Sequence, residues 1–154
     1  MTFLQAIIIA IIEGITEFLP ISSTGHMILA SAAMKISEDD FVKTFEIVIQ
    51  LGAIFAIALM YVKRFLQGIN IYLKLFVAFM PTAVIGFLAY DFIKTTLFNP
   101  TVVAISLIIG GLVLIWIDKI VMEKKSEIVS IEEIPYKNAF LIGLVQCLSV
   151  IPGT

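Results

Sequence analysis

The sequence predicts an all-α polytopic membrane protein, and three observations lead there. Of the 154 residues, 60% are hydrophobic and only 14% charged, where an ordinary soluble domain has charge at about a quarter of its positions. Three stretches, Phe45 to Val62, Leu75 to Ile93 and Thr101 to Val121, are apolar over the roughly 20 residues that a helix needs to cross a bilayer. Runs such as Ile105-Ser106-Leu107-Ile108-Ile109 lack the period-two alternation of a membrane β-barrel strand. A water-soluble enzyme is thereby excluded, because a chain with a mean hydropathy of +1.09 could not cover its surface with polar groups. The net charge of −2 and the confinement of Lys and Arg to short loops argue against a nucleic-acid partner. Cys147 is the sole cysteine, so no internal disulfide is expected. The N-terminal MTFLQAIIIA has neither a basic n-region nor a following cleavage site, so no secretory signal is expected.

The first element, residues 3–34, is apolar but broken by Glu13, Glu17, Pro20 and the run Ser22-Ser23-Thr24-Gly25-His26. Two short helices that meet at a polar turn and dip into the membrane fit it better than one span, since irregular backbone at membrane depth is tolerated only where it lines a cavity. The helices over 45–62, 75–93 and 101–121 follow, with Gly86, Gly110, Gly111 and Pro81 read as packing positions. Residues 139–154 open a further unit. Counting Lys and Arg gives orientation. Lys63, Arg64 and Lys74 mark one inner loop, Lys119, Lys124, Lys125 and Lys137 another, and the segments around Asp40 and Asn99 fall outside.

Chemistry concentrates in the first element. Glu13 and Glu17 are four apart, which on a helix puts both carboxylates on one face; inside an apolar segment they ask for a cation, a shared proton or a basic partner. Downstream, Pro20 to His26 combines a turn former, three hydroxyls, a glycine and the single histidine before an apolar helix. Free N–H groups at such a helix start favour a phosphate. The plain alternative is a Ser/Thr cap. The histidine can act as general acid, general base or nucleophile, and a serine as an activated nucleophile. Glu46 and Gln50 share a helix face, and lining the site or bonding the polar turn are equally open to them. Gly14-x-x-Glu17-x-Leu19 recurs as Gly143-x-x-Gln146-x-Leu148, and the opposite orientation of the two segments suggests inverted repeats whose polar turns meet near a central site.

The run Glu13-Gly14-Ile15-Thr16-Glu17-Phe18-Leu19-Pro20-Ile21-Ser22-Ser23-Thr24-Gly25-His26 closely resembles the first signature of the undecaprenyl-diphosphate phosphatases of the bacitracin-resistance type. Lys43 to Gly52, Leu97 to Pro100 and Ala139 to Leu148 look like the same family. The resemblance implies an inverted-repeat membrane fold with re-entrant helix pairs, of which this sequence holds the first repeat and the start of the second. It implies hydrolysis of undecaprenyl diphosphate to undecaprenyl phosphate and phosphate, with recycling of the lipid carrier for peptidoglycan synthesis. The expected place is the bacterial inner membrane, with the active site facing outward. In that reading Glu17, Ser23 and His26 are catalytic, Ser23 being the candidate nucleophile and His26 the proton-transfer partner. Which of Ser23, His26 or a water attacks phosphorus stays open. Ser22, Thr24 and Gly25 bind substrate, and Glu13 and Glu17 hold a divalent metal, Mg²⁺ or Ca²⁺; zinc is disfavoured by one His and one distant Cys.

The expected partners are a lipid diphosphate and membrane lipids, with a homo-oligomer left open. The family's second signature is a Pro-Gly-x-Ser-Arg-Ser run, of which Pro152-Gly153-Thr154 is present here. The sequence therefore reads as an N-terminal portion, expected to be inactive alone because the arginine suited to a diphosphate is not in it. The rival is a lipid-phosphate transporter or flippase, for which broken helices and intramembrane acids are equally apt.

Overall fold

The computed structural model describes residues 1–66, 68–121 and 133–153, without the side chains of Arg64, Lys94 and Val121. Lys124, Lys125 and the charged stretch from Glu123 to Glu132 lie outside the described residues. Among those described there is no strand. The order is α1 (Phe3–Thr16), α2 (Ser23–Ala33), α3 (Asp40–Met60), α4 (Val62–Phe65), α5 (Ile69–Leu88), α6 (Tyr90–Phe92), a π-helical turn (Ile93–Leu97), α7 (Pro100–Val121), α8 (Tyr136–Gln146) and a 3₁₀ turn (Cys147–Val150).

Three helices are long and apolar enough to cross a membrane, Asp40–Met60, Ile69–Leu88 and Pro100–Ile120. The protein is an all-α polytopic membrane protein. Most large apolar side chains on these helices, among them Phe55, Phe87, Leu112 and Ile115, are exposed, as expected of helices whose solvent is lipid.

The helix boundaries differ from the apolar stretches for a local reason. The Asp39 carboxylate accepts the Phe41 N–H at 2.9 Å and starts α3 at Asp40, among polar residues and ahead of Phe45. α5 likewise begins at Ile69, ahead of Leu75, and ends at Leu88, so that Tyr90 to Ile93 belong to α6 and the π-helical turn. Hydropathy marks where a helix meets lipid, whereas caps mark where its hydrogen bonds begin.

Two units are built on the long helices. In the first, α1 and α2 form a hairpin along α3, sealed by Ile9, Met27 and Val42, with Phe45 and Ile49 packed against them. α1 starts with a capping box, in which Thr2 and Gln5 exchange backbone-to-side-chain bonds. The open end of the hairpin lies at the start of α3, where the Met1 amino group meets Asp39 at 3.2 Å. Its turn lies midway along α3, where Gln50 Nε2 donates to Thr24 Oγ1 at 2.7 Å. Gln50 is the eleventh of the 21 residues of α3, about 15 Å from its start at about 1.5 Å per residue.

In the second unit α8 runs alongside α5. The Lys74 ammonium sits 5.9 Å from the Tyr136 ring centroid, and one turn further the backbones touch. A Cβ on Gly143 would fall 1.9 Å from the Ala78 carbonyl oxygen, so this crossing requires glycine. Thr82 Oγ1, next to buried Pro81, donates to the Gly143 carbonyl at 3.2 Å. The packing expected at Gly86 and Gly111 is not found among the described residues, where an added Cβ would meet nothing within 4 Å. A glycine permits a close approach but does not attract a partner.

Beyond the 3₁₀ turn the chain returns to the first unit. Gly153, at φ +100°, lies against α7, and a Cβ there would sit 2.7 Å from the Val103 carbonyl oxygen. Its N–H donates to Ser22 Oγ at 2.9 Å.

Candidate active site

The site forms where α1 ends and α2 begins. Glu13, in the last turn of α1, is only 2% exposed, and neither of its carboxylate oxygens has a hydrogen-bond partner. Glu17 caps the same helix, and together with Ser23 it forms Glu13's electrostatic surroundings. Two carboxylates side by side in an apolar setting repel each other unless a cation or a proton lies between them. Ser23, the first residue of α2 and buried, donates its hydroxyl hydrogen to Glu17 Oε2. That contact removes the proton's other destinations, so Glu17, and not His26, is the group bonded to Ser23.

His26 is held from its other ring nitrogen. Nδ1 lies 2.9 Å from the Ser22 carbonyl oxygen. A carbonyl can only accept, so Nδ1 carries the hydrogen and Nε2 of the neutral ring is left with a free lone pair. Ser22 itself has φ +60° and makes no side-chain cap bond to α2. The plain capping role is therefore not the one its hydroxyl takes. Thr24 accepts from Gln50, as described above, and Gly25 is buried with its Cα facing Gly153; a Cβ at Gly25 would lie 3.0 Å from the Gly153 Cα.

All seven residues singled out in the sequence, Glu13, Glu17, Ser22, Ser23, Thr24, Gly25 and His26, thus fall in one turn and its two flanking helices. Of the pair on α3, Gln50 reaches this turn. Glu46 lies beside Ser31 further along α2, with its buried Oε1 unpartnered. Gly153 joins the site through the Ser22 hydroxyl, a contact that the expected meeting of the two polar turns does not specify. The available signal was the Pro-Gly pair that follows the echo of the first motif.

No cluster of three or more His, Cys, Asp or Glu side chains occurs among the described residues. The orphaned Glu13 oxygens beside Glu17 do suit a hard divalent cation, which commonly takes one or two carboxylates and completes its shell with water and substrate phosphate. Beside Glu17 opens an apolar groove of about 280 Å³ walled by Phe18, Ile54, Ile57, Ala58 and Phe65.

The family model described as bacitracin resistance protein BacA matches residues 6–154. The chain belongs to this family. Similar curated proteins are the undecaprenyl-diphosphatase of Flavobacterium johnsoniae, 52% identical over 153 residues that cover 99% of this chain and 57% of the relative, and that of Wolinella succinogenes, 50% identical over 154 residues covering 100% and 60%. The undecaprenyl-diphosphatase of Aquifex aeolicus is 47% identical over 154 residues, covering 99% and 60%. The chain thus spans somewhat under two thirds of the length of these BacA-family relatives.

Proposed function

We propose that the chain is part of a membrane phosphatase that hydrolyses undecaprenyl diphosphate to undecaprenyl phosphate and inorganic phosphate, returning the lipid carrier to peptidoglycan synthesis and so opposing bacitracin. The observation that carries this reading is the Ser23 hydroxyl donating to Glu17 beside the unpartnered Glu13 carboxylate. The names of the relatives supply the substrate.

In the mechanism Ser23 Oγ attacks the terminal phosphorus as its proton passes to Glu17. The bridging P–O bond breaks, and the electron pair leaves with the prenyl phosphate. A water then attacks the phosphoserine and gives a proton to His26 Nε2, which the Ser22 carbonyl keeps free for that task. The P–Oγ bond breaks, Glu17 returns its proton to Ser23, and His26 gives up the water's proton to the departing phosphate or to solvent, which restores the starting state. Thr24 and Gly25 present the start of α2 to the phosphate oxygens. Glu13 and Glu17 would hold a divalent cation, Mg²⁺ or Ca²⁺, which would neutralise diphosphate charge. The groove beside Glu17 takes the first prenyl units.

The reading extends to topology. α1 and α2, with 14 and 11 residues, are too short to cross a bilayer, and their turn meets α3 at its midpoint, which supports a re-entrant pair. The Lys and Arg count supports an opening on the outer side of the bacterial inner membrane. The names of the relatives give the transporter alternative no support.

The test is phosphate release from a prenyl diphosphate by the whole protein in detergent with Mg²⁺ or Ca²⁺. Metal-dependent release that Ser23→Ala removes is expected. Transport of the lipid without any release would overturn the reading.

A further inference from the structure

Ser22 stands out from the other hydroxyls of the turn. Its backbone sits at φ +60°, ψ 88°, a left-handed conformation that a residue with a Cβ keeps only where its surroundings hold it. Two contacts hold it. Its Oγ accepts the N–H of Gly153, 131 residues away in sequence, at 2.9 Å. Its carbonyl accepts His26 Nδ1–H at 2.9 Å and the His26 backbone N–H at 3.2 Å. Gly25 leaves room for this, because a Cβ there would lie 3.0 Å from the Gly153 Cα, and Gly153 in turn lacks the Cβ that would meet the Val103 carbonyl of α7.

We infer that Ser22 is a positioning residue, which ties the turn at Pro152-Gly153 to the first turn and in the same backbone unit sets the orientation and tautomer of His26. The inference rests on the hydrolase reading and assigns Ser22 a role other than phosphate ligand. A hydroxyl that accepts from Gly153 ties itself to the second turn with one lone pair, and its O–H hydrogen is the part left to donate elsewhere. Through Ser22, the arrival of the second turn and the placement of His26 become one event, so that His26 is set for proton transfer only when both turns are in place. The geometric tolerance of such a group is small, and a displacement of about 1 Å costs about 10²-fold in rate.

The experiment compares Ser22→Gly, Ser22→Asn and Gly25→Ala with the parent, all in the whole protein at the length of its relatives. The two readouts are exchange of the Gly153 amide hydrogen without substrate and steady-state phosphate release from a prenyl diphosphate. Ser22→Gly keeps the left-handed backbone and removes the hydroxyl. It should speed Gly153 exchange at least about tenfold and lower kcat about 10²-fold while KM stays within about twofold. Ser22→Asn tolerates the left-handed conformation and offers an amide oxygen; it should recover protection at Gly153 and part of kcat. Gly25→Ala keeps the hydroxyl and forces the turns apart, and should also speed exchange. Unchanged exchange at Gly153 in Ser22→Gly, or a KM raised more than tenfold with kcat preserved, would overturn the inference. Absence of phosphate release in the parent would sink the hydrolase reading, while the exchange comparison would still decide whether Ser22 ties the turns together.

Discussion

The two units of this molecule use the same plan with different chemistry. Each is a short helix lying alongside a long one and pointing the same way, α1 along α3 and α8 along α5, and each ends part-way along its long helix, at Gln50, the eleventh of 21 residues, and by Thr82, the fourteenth of 20. Because α3 and α5 are consecutive helices joined through α4 and a short connection, the two short helices approach from opposite ends, as in inverted repeats. At the matching place the first unit has Glu17, bonded to a buried serine, and the second has Gln146, exposed and bonded to Ser149 at 3.0 Å. The glycines that echo each other also differ. Gly14 has nothing within 4 Å of an added Cβ, whereas Gly143 is pressed onto Ala78. The comparison teaches that one plan carries a charged turn bonded to a buried serine in one unit and an uncharged, exposed turn in the other, and that only the second unit's glycine makes a close backbone crossing.

The largest effect should come from removing that charge difference. Glu17→Gln or Ser23→Ala in the whole protein should lower phosphate release by about 10³-fold or more, and Glu13→Gln should weaken the divalent-ion requirement, because an amide keeps the shape and loses the charge. Gln146→Ala should change kcat by less than about threefold. Equal losses at Glu17 and Gln146 in a steady-state assay would mean that both turns do chemistry.

The packing contrast predicts the next effect. Gly143→Ala should destabilise the protein by about 1–3 kcal/mol through overpacking at the α5 crossing, and Gly14→Ala should stay within about 0.5 kcal/mol of the parent. Thermal unfolding in detergent measures both. A stable Gly143→Ala would show that α8 docks elsewhere.

The opposed entry of the units can be broken by labelling. Cysteines at Asp40 and Asn99 should react with an impermeant reagent on intact cells, and those at Lys63 and Glu133 should not. The same pattern at all four sites would contradict an inverted arrangement.

The smallest effect is at the open end of the first hairpin. The Phe41 N–H, and after it the Met1 amino group, hold the Asp39 carboxyl below its ordinary pKa. Stability from this group is therefore complete above about pH 4, the ordinary Asp value, and is lost as pH falls through the lower folded value. Asp39→Asn should flatten that acid limb slightly and leave the neutral Tm almost unmoved, which acid thermal scans would detect.

Much of this organisation was legible in the residues themselves. Membrane class follows from composition, because lipid accepts what water rejects, and the three spans follow from uninterrupted apolar length. The site was legible because ionisable groups are costly in an apolar segment, so Glu13, Glu17 and His26 stand out against Ile, Leu and Phe. Helix ends were less so, since Asp39 starts α3 by a hydrogen bond that hydropathy does not register. Three-dimensional packing alone decided the partners. That Ser23 bonds Glu17 and that His26 turns its Nδ1 to a backbone carbonyl depend on side-chain direction within one turn, and that Gly153 reaches Ser22 depends on contact between residues far apart in sequence. Local patterns record which groups are present and how often they recur. Which lone pair meets which hydrogen is determined only when α2, α7 and the turn after α8 are brought together.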